Sequence, residues 1–258
     1  MPSDRPRFIA IASGKGGVGK TWLAITLSHA LVQAGRRVLL FDADLGLANI
    51  DVQLGIMPAF DLGAVIKGMT SLAGAVTRHE LSGLDVLAGP SGSGALSGLP
   101  AASLDSLLTR LREHVADYDV VVLDLSAGID RAVRRIAAWS DLLLVVATDE
   151  PTSLTDAYAV LKLQTLDRPD GDMRIVINQA RSPAVGQQTY ATLRRACAAF
   201  LNREPRLAGV VRHDLKVRDA IRHQQALLVR HPGSPAAKDV EAIVATLLQD
   251  WPRLVPPL

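Results

Sequence analysis

Ile11-Ala12-Ser13-Gly14-Lys15-Gly16-Gly17-Val18-Gly19-Lys20-Thr21 decides the fold of this chain. Gly14, Gly19, Lys20 and Thr21 satisfy the spacing G-x-x-x-x-G-K-[ST], in which glycines let successive backbone N–H groups turn inward around a chain of phosphates. Lys20 would reach the β- and γ-phosphates, and the Thr21 hydroxyl would hold Mg²⁺. The candidate nucleotide-binding residues are Gly14, Gly16, Gly17, Val18, Gly19, Lys20, Thr21 and Trp22; Lys15 is not needed to cradle phosphates in the same chain, and its plain reading is a solvated charge beside a turn. Arg7 to Ala12 reads as a buried strand and Trp22 to Ala34 as a helix closed by Gly35, the strand–loop–helix setting that phosphate binding demands. A glycine-rich turn with surface lysines is the plainer alternative, and the flanking elements weigh against it.

The same alternation continues along the chain. Arg37–Phe41, Leu84–Leu87, Val120–Leu123, Leu142–Ala147, Met173–Ile177 and Leu207–Val211 read as buried strands; Leu104–Val115, Arg131–Trp139, Ser153–Leu166, Gln187–Leu201 and Ala237–Leu248 read as helices. Strands that are apolar throughout, rather than at every second residue, predict a mostly parallel, doubly wound α/β sheet covered on both faces. No Pro/Ser-rich linker divides the 258 residues, so one domain is expected, with a short tail at 1–7, a loose loop at Gly89–Pro100, and an amphipathic helix and tail at 237–258.

With 48% hydrophobic residues the chain can bury a large core. Its net charge of +2 does not by itself call for nucleic acid. Arginines gather late, at Arg194, Arg195, Arg203, Arg206, Arg212, Arg218, Arg222 and Arg230, which suits either a solvated helical face or a DNA, lipid or partner patch. Cys197 is the only cysteine, which excludes an intrachain disulfide or a multi-cysteine metal site from one subunit and suits a reducing cytoplasm. Met1 to Arg7 holds no apolar signal core, and no run of about 18 apolar residues occurs, so neither secretion nor membrane spanning is expected. Val240, Ile243, Val244, Leu247, Leu248 and Trp251 share one helical face, which could pack on the domain or lie on a membrane; Asp239, Glu241 and Asp250 beside it favour packing.

In doubly wound sheets, ligands lie beyond the carboxyl ends of the strands. Three polar sets stand there. Asp42 and Asp44 follow the second strand, where they would organise Mg²⁺ and water or cap a helix. Val121-Val122-Leu123-Asp124 is an apolar strand ending in an acid, a carboxylate fixed within reach of Mg²⁺, and Gly128 allows the backbone to approach a γ-phosphate. Asn178 follows a later strand with a donor and an acceptor that suit an adenine edge, though Asn also commonly forms turns there.

Lys15-Gly16-Gly17-Val18-Gly19-Lys20-Thr21 resembles the deviant Walker A motif of the MinD/ParA ATPases, and Asp124 to Gly128 matches that family's Asp-x-x-Ala-Gly switch II. The resemblance runs from Ile9 to about Leu248. It implies that Lys15 crosses a dimer interface to the partner's nucleotide, that Asp44 in switch I orients or deprotonates the attacking water, that Asp42 acts through the Mg²⁺ shell, and that Asn178 contacts adenine. ATP and Mg²⁺ are the implied cofactors and an ATP-dependent homodimer the implied assembly. Asp42 to Gly55, Thr148 to Tyr158, and Gly209 to Asp214 look most like the flagellar-number regulator (FlhG/FleN) branch. That branch implies a signal-recognition-type GTPase or a flagellar ring protein as partner, in the cytoplasm or peripheral to the inner face of the cell membrane. Its members often carry an amino-terminal Asp-Gln-rich segment that stimulates the GTPase, whereas Met1 to Arg7 is all that precedes the first strand here. A ParA-like partition ATPase binding DNA through late arginines, or a MinD-like division-site ATPase, is the alternative within the family. An amide-forming synthetase or nitrogenase-reductase-like carrier is disfavoured by the lone Cys197 and the lack of a following glutaminase domain. A tyrosine kinase would need a carboxyl-terminal tyrosine cluster, and the last tyrosine is Tyr190. A nucleotide-binding adaptor without turnover is the non-enzymatic reading.

Overall fold

A computed structural model describes residues 6–44, 46, 48–89 and 101–251. In chain order the elements are β1 (Arg7–Ser13), α1 (Lys20–Gln33), β2 (Val38–Ala43), α2 (Ile50–Leu54), α3 (Leu62–Ile66), α4 (Leu72–Ala75), β3 (Val76–His79), β4 (Leu84–Leu87), α5 (Ala101–His114) and β5 (Val120–Ala127). They continue with α6 (Arg131–Trp139), β6 (Leu142–Ala147), α7 (Pro151–Asp167), β7 (Asp172–Ala180), α8 (Pro183–Leu201), β8 (Arg206–Arg212), α9 (Leu215–Arg222), α10 (Leu227–Arg230) and α11 (Pro235–Asp250).

Among the described residues the strands form one sheet in the order β3-β4-β2-β5-β1-β6-β7-β8. All neighbours are parallel except β3 and β4, where Val76 pairs with Leu87 and His79 with Leu84 in antiparallel register. The continuous apolar strands are explained by two cores. In β1, Phe8, Ala10 and Ala12 enter the layer covered by α5 to α8, while Ile9 and Ile11 enter the layer under α1 and α11. Because side chains alternate between faces, a strand buried on both must be apolar at every position.

The antiparallel strand β3 was not foreseen from sequence: it is four residues long and only His79 in it is buried, so it carries no apolar run. Elsewhere the strands outrun their apolar cores by a few residues, and these extensions matter. β2 reaches past Phe41 through Asp42, β5 past Leu123 through Asp124, and β7 past Ile177 through Asn178, so all three polar residues stand on strands rather than after them. The loop expected at Gly89–Pro100 falls outside the described residues after Gly89.

α11 settles the question of its apolar face by packing. Val240, Ile243, Val244 and Leu247 are buried in the core beneath it, and Trp251 carries the Arg7 guanidinium over its ring at 5.2 Å. Among the described residues no helix is long and apolar enough to cross a membrane.

His29 on α1 is buried beside His79 of β3, and its Nδ1 has no hydrogen-bond partner among the described residues. Burial first, and the neighbouring His79 second, lower its pKa to about 4. His79, with Nδ1 2.6 Å from Ser82 Oγ, is lowered by burial against an opposing pull from Glu80. The unfolded chain therefore takes up protons below the ordinary imidazole value of 6.5 that the folded His29 refuses until about 4. Stability should fall with acid across that window, by on the order of 3 kcal/mol from this residue. Urea denaturation of His29→Leu between these limits should show a visibly flatter pH dependence; a slope equal to wild type would remove His29 from the acid response.

Candidate nucleotide-binding site

β1 lies between β5 and β6, so the loop from Gly14 to Gly19 stands at the carboxyl edge of the sheet where the connections diverge. Two glycines are forced by geometry. Gly19, at φ 87°, caps α1 in a left-handed conformation, and a Cβ there would lie 2.5 Å from Asn178 Nδ2. A Cβ on Gly14 would meet the Asp156 carbonyl oxygen at 2.4 Å. No side chain caps the first turn of α1, so its N–H groups and the positive end of the helix dipole are left for an anion. Lys20 begins that helix largely buried, which puts its charge inside the cradle. Gly16 and Gly17 are exposed on the rim, Val18 is buried beneath it, and Thr21 is half-buried.

The acids lie opposite. Asp42 and Asp124 are direct partners in the β2–β5 register, and both are buried. Asp42 spends its carboxylate on the switch I backbone: Oδ2 accepts from Asn49 N at 2.9 Å and Ile50 N at 3.0 Å, and Oδ1 from Asp44 N at 3.2 Å. The capping alternative thus describes Asp42 as it stands, holding the start of α2 in place. Asp124 differs, because its Oδ1 is buried with no hydrogen-bond partner among the described residues. Burial, then the Asp42 charge, push its pKa up to about 7, against a hydrogen bond to Thr21 and the Lys20 charge. Asp42 is likewise pushed up to about 6, chiefly by burial, against its three backbone N–H bonds. A carboxylate with one orphaned oxygen and a threonine hydroxyl bonded to the group, beside a second buried acid, fits Mg²⁺, a hard cation that takes one or two carboxylates and otherwise oxygen from hydroxyl, water and phosphate.

The segments that end β2 and β5 touch. Asp44 Oδ1 accepts from Ser126 Oγ at 2.8 Å and from Gly46 N at 3.1 Å. Gly128, two residues after Ser126, donates its N–H to the Ser13 carbonyl of β1 at 2.8 Å.

Lys15 lies on the rim, bound within its own chain: Nζ is 2.7 Å from Glu150 Oε2 and 3.1 Å from Thr152 Oγ1, at the start of α7. Both partners of the ion pair are largely exposed, 41% for Lys15 and 61% for Glu150. Asn178 braces the loop, donating from Nδ2 to Val18 O at 2.8 Å while Oδ1 accepts from Gln179 N at 2.9 Å. It also lines a cavity of about 240 Å³ with Gly17, Gly19, Trp22, His213 and Ile221. Trp22 lines this space too, and its buried Nε1 has no hydrogen-bond partner among the described residues. A larger cavity of about 550 Å³ around Arg36, Arg78 and Asp117 opens at the opposite end of the sheet, near the starts of β2 and β4. It has no phosphate cradle, so donor chemistry rather than size locates the site.

Sequence reasoning therefore assembled the loop, Asp42, Asp44, Asp124 and Asn178 in one place. It missed Glu150 and Thr152, although both stand in the polar run just after β6, and it gave Ser126 no role. Four of the eight late arginines meet carboxylates: Arg206 with Asp172 at 3.4 Å, Arg212 with Asp239 at 2.8 Å, Arg230 with Asp219 at 2.6 Å and Arg194 with Glu204 at 3.6 Å. The charge of these four is answered within the chain.

Fold and site together define a P-loop ATPase whose loop carries a second, early lysine. Residues 9–228 match the CobQ/CobB/MinD/ParA nucleotide binding domain, and the chain belongs to that family. It is 38% identical over 254 residues to the antiactivator FleN of Pseudomonas aeruginosa, covering 98% of this chain and 90% of that one. It is 28% identical over 243 residues to the flagellum site-determining protein YlxH of Helicobacter pylori, covering 94% of this chain and 82% of that one. The crystal structure of the cell division ATPase MinD of Pyrococcus furiosus superposes with a TM-score of 0.77 at 25% identity, covering 94% of this chain and 98% of that one.

Proposed function

We propose that this chain is an ATP-driven dimerising switch that controls the number or placement of a cellular structure, flagella above all. The observation that carries the dimer is Lys15, a second loop lysine held on the exposed rim instead of in the cradle with Lys20. The flagellar assignment rests on the likeness to FleN and YlxH along nearly the whole chain.

In this reading the loop amides and Lys20 hold the triphosphate, and Asn178 with the surrounding cavity takes the base. Thr21 and Asp124 would hold Mg²⁺, with Asp42 adding charge from the second sphere; the ion would neutralise phosphate charge. Asp44 accepts a proton from the attacking water as its oxygen bonds to the γ-phosphorus and the bond to the β–γ bridging oxygen breaks, giving ADP and phosphate. Lys15 leaves Glu150 and neutralises phosphate across the interface. Loss of phosphate frees both switches, and the protomers part. To carry the population from about 1% to about 99% dimer, ATP must favour the closed form by roughly 5.5 kcal/mol.

Size-exclusion chromatography with light scattering tests the core of this. A dimer is expected with ATP or a non-hydrolysable analogue and a monomer with ADP or no nucleotide; a monomer throughout would sink the proposal. Deleting the gene should change flagellar number per cell. The partner of the dimer would be a signal-recognition-type GTPase or a flagellar ring protein, acting in the cytoplasm or at the inner membrane face.

A further inference from the structure

Ser126 stands between Asp124 and Gly128, two residues from each, and the Asp-x-x-Ala-Gly pattern gives its position no role. In the fold its hydroxyl reaches across 82 positions of sequence to donate to Asp44 Oδ1 at 2.8 Å. Ser126 is on β5 between Leu125, which pairs with Ala43 of β2, and Ala127, which pairs with Ser13 of β1, so its neighbours on both sides are anchored in the sheet. Asp44 lies just past the end of β2, outside any strand or helix, with its N–H on Asp42 Oδ1 at 3.2 Å. A carboxylate on such a segment has rotational freedom that must be lost before it can accept a proton along a defined line. The serine hydroxyl, together with Gly46 N on the same oxygen at 3.1 Å, removes much of that freedom.

The linkage also has a direction. Gly128 donates to Ser13 O, and an incoming γ-phosphate would draw on that amide. A shift of Gly128 passes to Ser126 through Ala127 and from Ser126 to Asp44 through one hydrogen bond. Resting on the ATPase reading above, we propose that Ser126 is a positioning residue: it aims Asp44 at the attacking water and makes its aim depend on switch II sensing the γ-phosphate.

The test is steady-state hydrolysis by Ser126→Ala and Ser126→Thr. One hydrogen bond to a charged group is at stake, so Ser126→Ala should lower kcat roughly ten- to a hundredfold with KM unchanged. The ATP-bound dimer should persist longer by the same factor, as separation follows hydrolysis. Ser126→Thr, which keeps the hydroxyl on a strand position that tolerates β-branching, should recover most of the rate. Wild-type kcat in the alanine variant, a raised KM at unchanged kcat, or equal slowing in both variants would each overturn the role of Ser126. Absence of ATP turnover in the wild-type protein would instead overturn the ATPase reading, and the two failures are thereby separable.

Discussion

Replacing Asp44 with alanine is expected to slow ATP hydrolysis by about 10²- to 10⁴-fold while leaving nucleotide binding and the ATP-dependent dimer intact. The split follows from where Asp44 sits. It stands at the mouth of the site, half-buried, with one carboxylate oxygen engaged by Ser126 and Gly46. The groups that cradle phosphate, namely the loop amides and Lys20, belong to a different element and do not depend on it. The loss is that of a general base, about 3–5 kcal/mol on the barrier. The variant should therefore accumulate as a dimer with ATP that fails to separate, visible as a persistent early-eluting species. Rapid turnover would show that another group handles the water, and a monomer would show that Asp44 builds the interface instead.

Lys15→Ala should lose the ATP-dependent dimer and, with it, about 10²- to 10³-fold of turnover, since a fixed cation facing transferring phosphate is worth that much. The resting contact sets a bound on its opposite. Lys15 and Glu150 form a pair exposed on both sides, 41% and 61%, so freeing the lysine gains no more than about 1 kcal/mol. Each dimer releases two such pairs, so Glu150→Gln should accordingly tighten ATP-driven dimerisation by at most about thirtyfold. The two variants thus act in opposite directions and with very different size. If Lys15→Ala dimerises and hydrolyses normally, the lysine is a surface charge held by Glu150 and the trans contact is wrong. Analytical ultracentrifugation across protein concentration resolves both cases.

The sheet could be read from the chain because its strands are apolar on both faces. Phe8 and Ile9 point to opposite cores and leave no polar position to confuse the pattern. The loop could be read because phosphate binding restricts residue type at Gly14, Gly19, Lys20 and Thr21. What escaped depends on contacts between segments far apart in sequence. Glu150 finds Lys15 across 135 positions and Ser126 finds Asp44 across 82, and a single surface acid or serine carries no periodicity to betray its partner. β3 escaped for another reason: a short edge strand with one buried residue gains its pairing from β4 rather than from its own composition. The role of Asp42 was only half legible. Two acids after a strand announce a polar site, but which one holds backbone and which one stands with a bare oxygen is decided by the path of the chain toward α2.

The amide of Gly128 already has a companion in the Ser13 carbonyl. On the proposed reading, a nucleotide ending at its second phosphate would leave that union undisturbed, whereas one with a third would have to persuade the amide to change allegiance. Discrimination between charged and spent fuel would then hinge on a swap rather than on filling an empty seat, and the molecule would idle by default in its discharged posture.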